Sequence, residues 1–400
     1  MSESLPVLRL KRGEERRLRA GHLWIYSNEV DTDATPLKTL QPGDEVVIED
    51  ARGKPLGRAY ANPHSLICAR LYSRDVRQPL NQRFLEKQIG QALALRDGIF
   101  QQHCYRAVFG EGDLLPGLVI DRFNDTFVIQ SGTAGMDRAL PAVAAALDAL
   151  CAPTNIIVKS ESATREQEQL SADVRALKGE LLDEISLVEN GVNYLAPLAA
   201  GQKTGWFYDH RAARRRIMPL ARDARVLDVF SYCGAWGVLA AATGAQQVTC
   251  VDSSQKALDY VYRSAVANQV ETRVRTIQAD AAHAMKELIA AGERFDVVVL
   301  DPPAFIKRKK DFRNGLAGYH AINELAVRLV EPGGVLISAS CSMHLPREQL
   351  LDVMRASARH NDRFLQVFAS EGQAEDHPVH PAISETQYLK SWFGRVLLNS

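Results

Sequence analysis

The stretch Val-Leu-Asp-Val-Phe-Ser-Tyr-Cys-Gly-Ala-Trp-Gly, residues 226–237, decides the fold of the second half of the chain. Its first five residues are mostly apolar, which favours a buried strand over 226–230. Gly234 and Gly237 follow this strand, and glycine lets the backbone turn tightly and come close to a ligand. A strand that leads directly into a glycine-containing turn is typical of the first unit of a nucleotide-binding α/β sheet.

Four further apolar runs predict strands at residues 247–251, 274–278, 296–300 and 334–340. The stretches between them are long enough for helices, so the pattern predicts a parallel, doubly wound sheet. In an open parallel sheet, ligands bind beyond the carboxyl ends of the strands. We therefore expect the residues that follow each strand to form a common site.

Aspartates end the next three strands. Asp252, followed by Ser253, ends the second, where an acid can accept hydrogen bonds from ribose hydroxyls. Asp280, followed by Ala281, ends the third and could accept the adenine amino group, while Asp301 opens an Asp-Pro-Pro stretch after the fourth. A single aspartate at a strand end is most often a helix cap. Several such signals in order, at βαβ spacing, instead favour a cofactor that contains adenosine.

The glycine pattern narrows the choice of cofactor. A G-x-G-x-x-G motif would cradle the pyrophosphate of NAD, but only Gly234 and Gly237 are present here. An NAD-dependent oxidoreductase is therefore disfavoured. An adenosine cofactor that needs no pyrophosphate cradle points to S-adenosylmethionine.

Cys341 follows the last predicted strand and lies at the same sheet edge as Asp301. A cysteine at a strand end is more often a buried apolar residue, but its place opposite the Asp-Pro-Pro loop suggests a nucleophile. A thiolate that adds to C6 of cytosine pushes electron density to C5, which can then attack a sulfonium methyl group. Asp301 could hold or protonate the ring edge. Glu385 is our candidate for the base that removes the C5 proton; the alternative is that it is a polar side chain on the surface without a role in the reaction.

The first half of the chain has a different pattern. Residues 1–75 read as short, closely spaced strands and turns, which predicts a small barrel-like β domain. Residues 76–190 read as a mixed central domain and connector, and residues 191–400 as the third domain. The expected elements of the first two domains include strands at 45–49, 56–60, 66–71 and 155–159, helices at 82–100 and 136–150, and a hairpin over 118–130. The acidic stretch 159–191 is expected to be a solvated face and connector.

Composition excludes several classes of protein. The chain has 400 residues, of which 46% are hydrophobic and 24% charged, so global disorder is excluded. The six cysteines show no zinc-ligand spacing and read as cytosolic thiols rather than disulfides, so no metal is expected. No stretch has the pattern of a signal peptide or a membrane span, which predicts a cytoplasmic protein without a membrane partner.

The formal net charge of zero, from 48 basic and 48 acidic residues, taken alone argues against a nucleic-acid partner. The charges are unevenly distributed, however, because residues 1–20, 201–220 and 305–313 are each net basic. A charged run is usually a solvated face, but the third run directly follows the Asp-Pro-Pro loop. RNA phosphates are expected there. The predicted RNA contacts are Lys203, Arg211, Pro302, Pro303, Lys307, Arg308, Lys309 and Lys310.

Several motifs along nearly the whole chain resemble a known family. They are Gly-His-Leu-Trp-Ile-Tyr-Ser at 21–27, Gly-Asp-Leu-Leu-Pro-Gly-Leu-Val-Ile-Asp-Arg at 112–122, Lys-Thr-Gly-Trp-Phe-Tyr-Asp-His-Arg at 203–211, Phe-Ser-Tyr-Cys-Gly at 230–234, Asp-Pro-Pro at 301–303, Ser-Cys-Ser at 340–342 and Tyr-Leu-Lys at 388–390. The sequence is similar to the class I S-adenosylmethionine-dependent 23S rRNA 5-methylcytosine methyltransferases of the large subunit methyltransferase I type. It departs from that pattern at Cys233, where a small polar residue is frequent, and at Trp236.

The resemblance implies an N-terminal PUA domain, a central α/β domain and a C-terminal methyltransferase domain with a Rossmann-like sheet. It implies Cys341 as the nucleophile, S-adenosylmethionine as the cofactor, 23S rRNA or a large-subunit precursor as the substrate, and a homodimer. The predicted cofactor contacts, from resemblance and strand ends together, are Tyr208, Asp209, Phe230, Ser231, Tyr232, Gly234, Asp252, Ser253, Asp280, Ala281 and Asp301.

Two other functions remain open from the sequence. A guanine-N2 rRNA methyltransferase would need the Asp-Pro-Pro loop but no cysteine. A PUA-bearing ribosome-binding factor without catalysis would need neither, and it would not bind S-adenosylmethionine.

Overall fold

Two compact units make up the chain in the computed structural model, which describes residues 5–161, 163–199, 201 and 203–399. The first unit comprises Met1–Asp183, Leu198–Trp206 and Glu375–Thr386. The second comprises Glu184–Pro197, Phe207–Ala374 and Gln387–Ser400. The predicted boundary at 190/191 lies in the turn of a hairpin of the second unit.

The first unit opens with a five-stranded sheet of order β1-β3-β4-β5-β2. Its strands are β1 Val7–Arg9, β2 Trp24–Ile25, β3 Asp44–Glu49, β4 Pro55–Ala61 and β5 Ala69–Ser73, and its one helix is α1 Glu15–Arg19. Apolar side chains of these strands, such as Ile25, Val46 and Ile48, form a separate small core. The close spacing of turns predicted this β domain correctly, although the last strand begins at Ala69 rather than Leu66.

A second five-stranded sheet, of order β10-β9-β8-β7-β6, completes the first unit. Its strands are β6 Cys104–Phe109, β7 Leu118–Phe123, β8 Thr126–Ser131, β9 Asn155–Ser160 and β10 Asp173–Lys178. The accompanying helices are α2 Gln82–Ile99, α3 Ala134–Arg138, α4 Leu140–Cys151 and α5 Ala163–Gln167. The predicted hairpin is present, with Asn124 at a positive φ of 58° in its turn.

Two predictions for this region are wrong. The single helix expected over 136–150 is two helices, because Pro141 has no backbone N–H to donate and starts a new helix, α4. The acidic stretch 159–191 is not only a solvated connector. It contains β10, and its Glu168 is buried in an ion pair with Arg70 at 2.7 Å.

The second unit is built on a seven-stranded sheet of order β15-β14-β13-β16-β17-β19-β18. Its strands are β13 Arg225–Val229, β14 Gln247–Asp252, β15 Val274–Gln278, β16 Phe295–Leu300, β17 Val330–Ser340, β18 Arg363–Glu371 and β19 Lys390–Leu398. A separate hairpin consists of β11 Glu184–Glu189 and β12 Val192–Pro197. The helices are α6 Arg211–Ala221, α7 Gly237–Ala242, α8 Gln255–Ala267, α9 Ala281–Ala290, α10 Phe312–Leu329 and α11 Arg347–His360.

The strand order of this sheet indicates where a ligand would bind. β13 through β17 pair in parallel, as predicted, whereas β19 runs antiparallel between β17 and β18. The chain order reverses between β13 and β16, and ligands bind at such a switch point, beyond the carboxyl ends of the strands. Among the residues that the structure describes, no helix is long and apolar enough to cross a membrane.

Candidate active site

The loop after β13 has an unusual backbone. Phe230, Tyr232 and Gly234 have positive φ angles of 65°, 47° and 78°. Side chains other than glycine rarely adopt this region, and such strain concentrates at functional sites. The loop is held by two hydrogen bonds, from Ser231 N to the carbonyl of Val251 (3.0 Å) and from Tyr232 N to Asp252 Oδ2 (2.9 Å). The backbone therefore keeps a fixed, strained shape at the switch point.

Asp228, the fourth residue of β13, is fully buried below this loop. Its Oδ2 accepts a hydrogen bond from Gly237 N at 2.9 Å, and its Oδ1 has no partner. A side chain at Gly237 would collide with Cys250 and crowd this carboxylate, which explains the glycine. Burial, together with the nearby charges of Asp301 and Asp252, raises the pKa of Asp228 to about 7, although the hydrogen bond from Gly237 N acts in the opposite direction. Asp228 can therefore hold a proton near neutral pH.

Asp301 forms an ion pair with a residue that the sequence analysis did not single out. His210 Nε2 lies 3.1 Å from Asp301 Oδ1, and Trp236 Nε1 donates to Oδ2 at 3.0 Å. Burial alone would raise the pKa of Asp301, but the charge and hydrogen bond of His210 and the bond from Trp236 outweigh it, and the net shift is downward. Burial acts to lower the pKa of His210, but the charge of Asp301 and its hydrogen bond act to raise it. The net result is a pKa above the ordinary value. Asp301 is therefore ionised and suited to accept hydrogen bonds rather than to donate a proton.

The segment before α6 supplies two further predicted cofactor contacts. Asp209 is 5% exposed, and its Oδ2 accepts a hydrogen bond from the hydroxyl of Tyr388 at 2.6 Å. Tyr208 is fully buried, and the guanidinium of Arg211 lies 5.0 Å from its ring centroid. Contacts with neighbouring side chains thus hold both residues in place.

Arg211, a predicted RNA contact, is buried beside an acidic side chain. Its side chain is 7% exposed and lies 3.6 Å from the carboxylate of Glu189, which also accepts a bidentate pair of hydrogen bonds from Arg214. Glu189 comes from the acidic stretch that we expected to be solvated. A local excess of basic residues in the sequence does not reveal that a distant carboxylate neutralises them.

Asp252 ends β14 and Asp280 follows the edge strand β15, and both accept hydrogen bonds from backbone N–H groups. Asp252 accepts from Tyr232 and Ser254, each at 2.9 Å. Asp280 caps α9, since its Oδ1 accepts from Ala282 N (3.0 Å) and His283 N (3.1 Å). Ser253 is exposed and Ala281 is buried. Both aspartates have a capping role in the fold in addition to any cofactor contact.

The residues around the switch point fit S-adenosylmethionine. Three buried polar atoms there have no hydrogen-bond partner, namely Asp228 Oδ1, Ser231 Oγ and His210 Nδ1. Buried polar atoms are nearly always paired, so three unpaired ones at one sheet edge indicate a polar ligand. The loop from Phe230 to Gly234 and the carboxylates of Asp252 and Asp280 would hold an adenosine group that carries hydroxyl and amino functions.

Cys341 lies at the same edge, directly after β17. Leu300 and Ser338 are paired in the sheet, so Asp301 and Cys341 extend beyond neighbouring strands. Tyr319, fully buried on α10, bonds to the hydroxyls of Ser340 and Ser342 at 2.7 and 2.9 Å. Ser342 Oγ also accepts from the backbone N of Ile306 at 3.2 Å. Cys341 is half-buried and sits between two serines that are held in place.

Lys390 lies close to Cys341 and, like His210, was not singled out in the sequence analysis. It begins β19, is 5% exposed, and donates to the carbonyls of Ser342 (2.6 Å) and Leu345 (2.8 Å). Burial lowers its pKa to about 8, while the charge of Cys341 acts in the opposite direction. The ammonium therefore carries its charge at neutral pH although it is buried.

The predicted RNA-contact residues of the third basic run are exposed. Pro302 is buried, whereas Pro303 and all four residues Lys307–Lys310 are exposed just before α10. Arg308 forms a surface ion pair with Asp311 at 3.0 Å. Lys203, which belongs to the first unit, is also exposed.

Glu385 belongs to the first unit, and its role as a base remains a prediction. It is exposed and lines a cavity of about 420 Å³ together with Trp24, Arg70 and Glu111. The six cysteines are free thiols, and four of them are buried, as expected. No cluster of metal-ligand side chains occurs in the described part of the chain.

Sequence reasoning missed His210, Trp236, Asp228 and Lys390 as members of the site. His210 and Lys390 lie within the family motifs quoted above, and Trp236 was noted only as a departure from them. The motifs were a signal for His210 and Lys390, but the spacing of these two residues along the chain gave no reason to pair them with Asp301 or Cys341.

Comparisons with known proteins agree with this geometry. The family model described as S-adenosylmethionine-dependent methyltransferase matches residues 140–390, and that of a PUA-like domain matches residues 8–74. The ribosomal RNA large subunit methyltransferase I of Klebsiella pneumoniae is 35% identical over 406 residues, which cover 99% of this chain and 100% of that protein. The protein of the same name from Cronobacter sakazakii is 33% identical and covers 97% of this chain and 98% of its own.

Solved structures share the fold. A protein from Streptococcus mutans assigned to the SAM-dependent methyltransferases superposes with a TM-score of 0.81 at 19% identity, over 98% of this chain and all of that chain. A methyltransferase-type structure in complex with SAH gives a TM-score of 0.82 at 20% identity, with the same coverage. The predicted fold, a Rossmann-like α/β sheet with an N-terminal PUA-like domain, is confirmed.

Proposed function

This chain belongs to the S-adenosylmethionine-dependent methyltransferase family, and we propose that it forms 5-methylcytosine in the 23S rRNA of the large ribosomal subunit or its precursor. The activity for which the relatives are named supports the rRNA substrate, and the PUA-like domain supports an RNA partner. Such a substrate implies a cytoplasmic enzyme. The observation that carries the choice of cytosine C5 is the half-buried Cys341 at the carboxyl edge, next to the strand that ends at Asp301.

The proposed mechanism begins with the thiolate of Cys341, which adds to C6 of an unstacked cytosine. A bond forms between sulfur and C6, and the electron pair of the C5–C6 double bond moves to C5. S-adenosylmethionine, when bound, supplies the electrophilic methyl group that C5 takes. A base then removes the C5 proton, the electron pair of that C–H bond re-forms the C5–C6 double bond, and the bond between C6 and sulfur breaks to release the Cys341 thiolate. The base that we propose for this proton is Glu385.

Asp301 has a holding role in this proposal. Because its pKa lies below the ordinary value, Asp301 is an acceptor for the exocyclic amino group of cytosine and not a proton donor to the ring. His210 and Trp236 occupy one hydrogen-bonding position on each oxygen and so fix the carboxylate. Each oxygen keeps a second lone pair for the substrate.

The cofactor contacts that we propose are those predicted from the sequence, with Asp228 and His210 added because their buried polar atoms lack partners. The RNA contacts that we propose are Lys203, Pro302, Pro303 and the exposed run Lys307–Lys310. Pro302 is buried, so its part is to shape the loop. The run supplies positive charge for phosphates of the strand that carries the cytosine.

The decisive experiment replaces the nucleophile. Cys341→Ala should abolish methylation of rRNA transcripts while S-adenosylmethionine binding, measured by calorimetry, stays within about twofold. The matched control is Cys151→Ala, which removes the other half-buried thiol and should leave turnover unchanged. Retained turnover in Cys341→Ala would exclude the covalent route and favour a guanine-N2 methyltransferase.

A second measurement identifies the product. Mass spectrometric mapping of rRNA from a strain without this protein should show the loss of one 5-methylcytosine in 23S rRNA. An unchanged 5-methylcytosine pattern would contradict the proposed substrate. Failure of the wild-type protein to bind S-adenosylmethionine would instead support a ribosome-binding factor without catalysis.

A further inference from the structure

We propose that Lys390 is a positioning residue for the Cys341 thiolate: its ammonium fixes the turn after Cys341 and supplies the positive charge that offsets the ionised sulfur. This inference rests on the proposed function, in which Cys341 is the nucleophile. Lys390 itself touches neither substrate nor cofactor in this proposal.

The sheet register brings Lys390 to this position. β19 runs antiparallel to β17, and Lys390 is the direct partner of Ser340, the residue before Cys341. From there its Nζ reaches forward to the carbonyls of Ser342 and Leu345, at 2.6 and 2.8 Å. Leu345 N also bonds to the carbonyl of Ser342 at 3.0 Å, which closes the turn. Lys390 thus holds the chain on both sides of Cys341.

The charge of Lys390 has no carboxylate partner. None of its ion-pairing or hydrogen-bonding contacts, in the part of the chain that the structure describes, involves Asp or Glu, although the residue is 5% exposed. A buried ammonium without an anion is costly to a fold. The charged groups that act on it are Cys341, which favours the ammonium, and Arg347, which opposes it. Arg347 stacks on Trp392, with its guanidinium 4.8 Å from the ring centroid.

The interaction is mutual, so an ammonium that is favoured by the thiolate also favours the thiolate. Burial lowers the pKa of Lys390 to about 8, which leaves it mainly charged at pH 7. When Cys341 ionises, its proton leaves to solvent and Lys390 keeps its own. The sulfur then has a free electron pair for the bond to C6 of the pyrimidine.

Tyr319 offers a matched control within the same turn. Its hydroxyl bonds to Ser340 and Ser342, as Lys390 bonds to Ser342, but it carries no charge because burial raises its pKa. Tyr319→Phe therefore removes contacts that order the turn without changing the local charge. Lys390→Met removes both the hydrogen bonds to the turn and the positive charge, whereas Lys390→Arg keeps the charge.

The test measures the reactivity of Cys341 in the full-length protein without RNA. Iodoacetamide is neutral and iodoacetate is anionic, so the ratio of their alkylation rates reports the charge near the sulfur. Peptide mass spectrometry follows Cys341 and, as an internal control, the half-buried Cys151 of the first unit. Cofactor binding and melting temperature show whether each variant is folded.

We expect Lys390→Met to slow alkylation of Cys341 at pH 7 by about tenfold and to lower the iodoacetate-to-iodoacetamide ratio. Lys390→Arg should recover the ratio, and Tyr319→Phe should leave it unchanged. In the wild-type protein, the ratio should fall as the pH rises through about 8, where Lys390 loses its proton. Cys151 should react alike in all variants.

An unchanged ratio in Lys390→Met, or an equal fall in Tyr319→Phe, would overturn the proposal. If Lys390→Met does not fold, a constant wild-type ratio between pH 7 and pH 9 would overturn it as well. The outcome is separate from the test of the covalent mechanism, which is refuted if Cys341→Ala still methylates RNA. A charge effect on Cys341 together with an active Cys341→Ala would refute the covalent mechanism alone.

Discussion

The aspartates at the ends of strands β13 to β16 form two contrasting pairs. Asp228 and Asp301 belong to the central strands on either side of the switch point, where they are largely buried and have shifted pKa values in opposite directions. Asp252 ends β14 and Asp280 follows β15, on one side of the switch point, and both accept hydrogen bonds from backbone N–H groups. The two pairs differ in their surroundings, because the sheet centre removes Asp228 from water whereas Asp280, beside the edge strand β15, is exposed.

The largest effect is expected from breaking the ion pair of the central strands. Asp301→Asn leaves His210 buried without its counter-charge and should lower the free energy of unfolding by up to about 3–5 kcal/mol. Asp252→Asn is the control, since it retains one of two backbone hydrogen bonds and should lose about 1 kcal/mol. Urea denaturation at pH 6 gives both values. Equal losses for the two variants would contradict the contrast between centre and edge.

The same pair should have a characteristic pH dependence. The raised pKa of His210 gives stability that is complete below its ordinary value of 6.5 and is lost as the pH rises through the higher folded value. The lowered pKa of Asp301 gives stability that is present above 3.8 and is lost as the pH falls through the lower folded value. The stability difference between wild type and Asp301→Asn should therefore be largest between about pH 4 and 6.5 and should shrink towards pH 9. A difference that grows with pH would contradict this assignment.

Asp228 differs from Asp301 in that its pKa is raised, and the change in stability expected from its replacement is of intermediate size. Its pKa of about 7 means that the folded protein binds a proton between pH 3.8 and 7 that the unfolded chain has lost, so its contribution to stability falls as the pH rises. Asp228→Asn keeps an acceptor for Gly237 N and removes this penalty. The variant should be more stable than wild type at pH 8, by an amount on the order of a few kcal/mol, and the gain should vanish towards pH 4. Parallel unfolding curves across this range would show that Asp228 has an ordinary pKa.

The contrast also explains how far the sequence could predict the site. The glycine turn, the parallel strands and the residues at their ends follow from local patterns, and the structure contains them where they were expected. His210 and Lys390 could not be paired with Asp301 and Cys341 in this way, because each pair is brought together by packing or register across a long stretch of chain. The antiparallel β18 was missed since its side chains alternate between half-buried and exposed, which is a weak apolar signal. The burial of Arg211 against Glu189 could not be predicted either, because a local count of charge does not include a carboxylate from a distant part of the chain.

The smallest effect is expected at the outer edge, where Asp280 caps α9. Asp280→Ala removes the acceptor for Ala282 N and His283 N and should lower the free energy of unfolding by about 1 kcal/mol. Asp280→Asn is an equally good cap and should leave the melting temperature unchanged. If Asp280 also accepts the adenine amino group, as we propose, Asn should weaken S-adenosylmethionine binding several-fold, because its single oxygen is already engaged by the cap. Calorimetry that shows unchanged affinity in Asp280→Asn would limit this aspartate to its helix cap, and the cofactor would then be bound by the residues of the central strands.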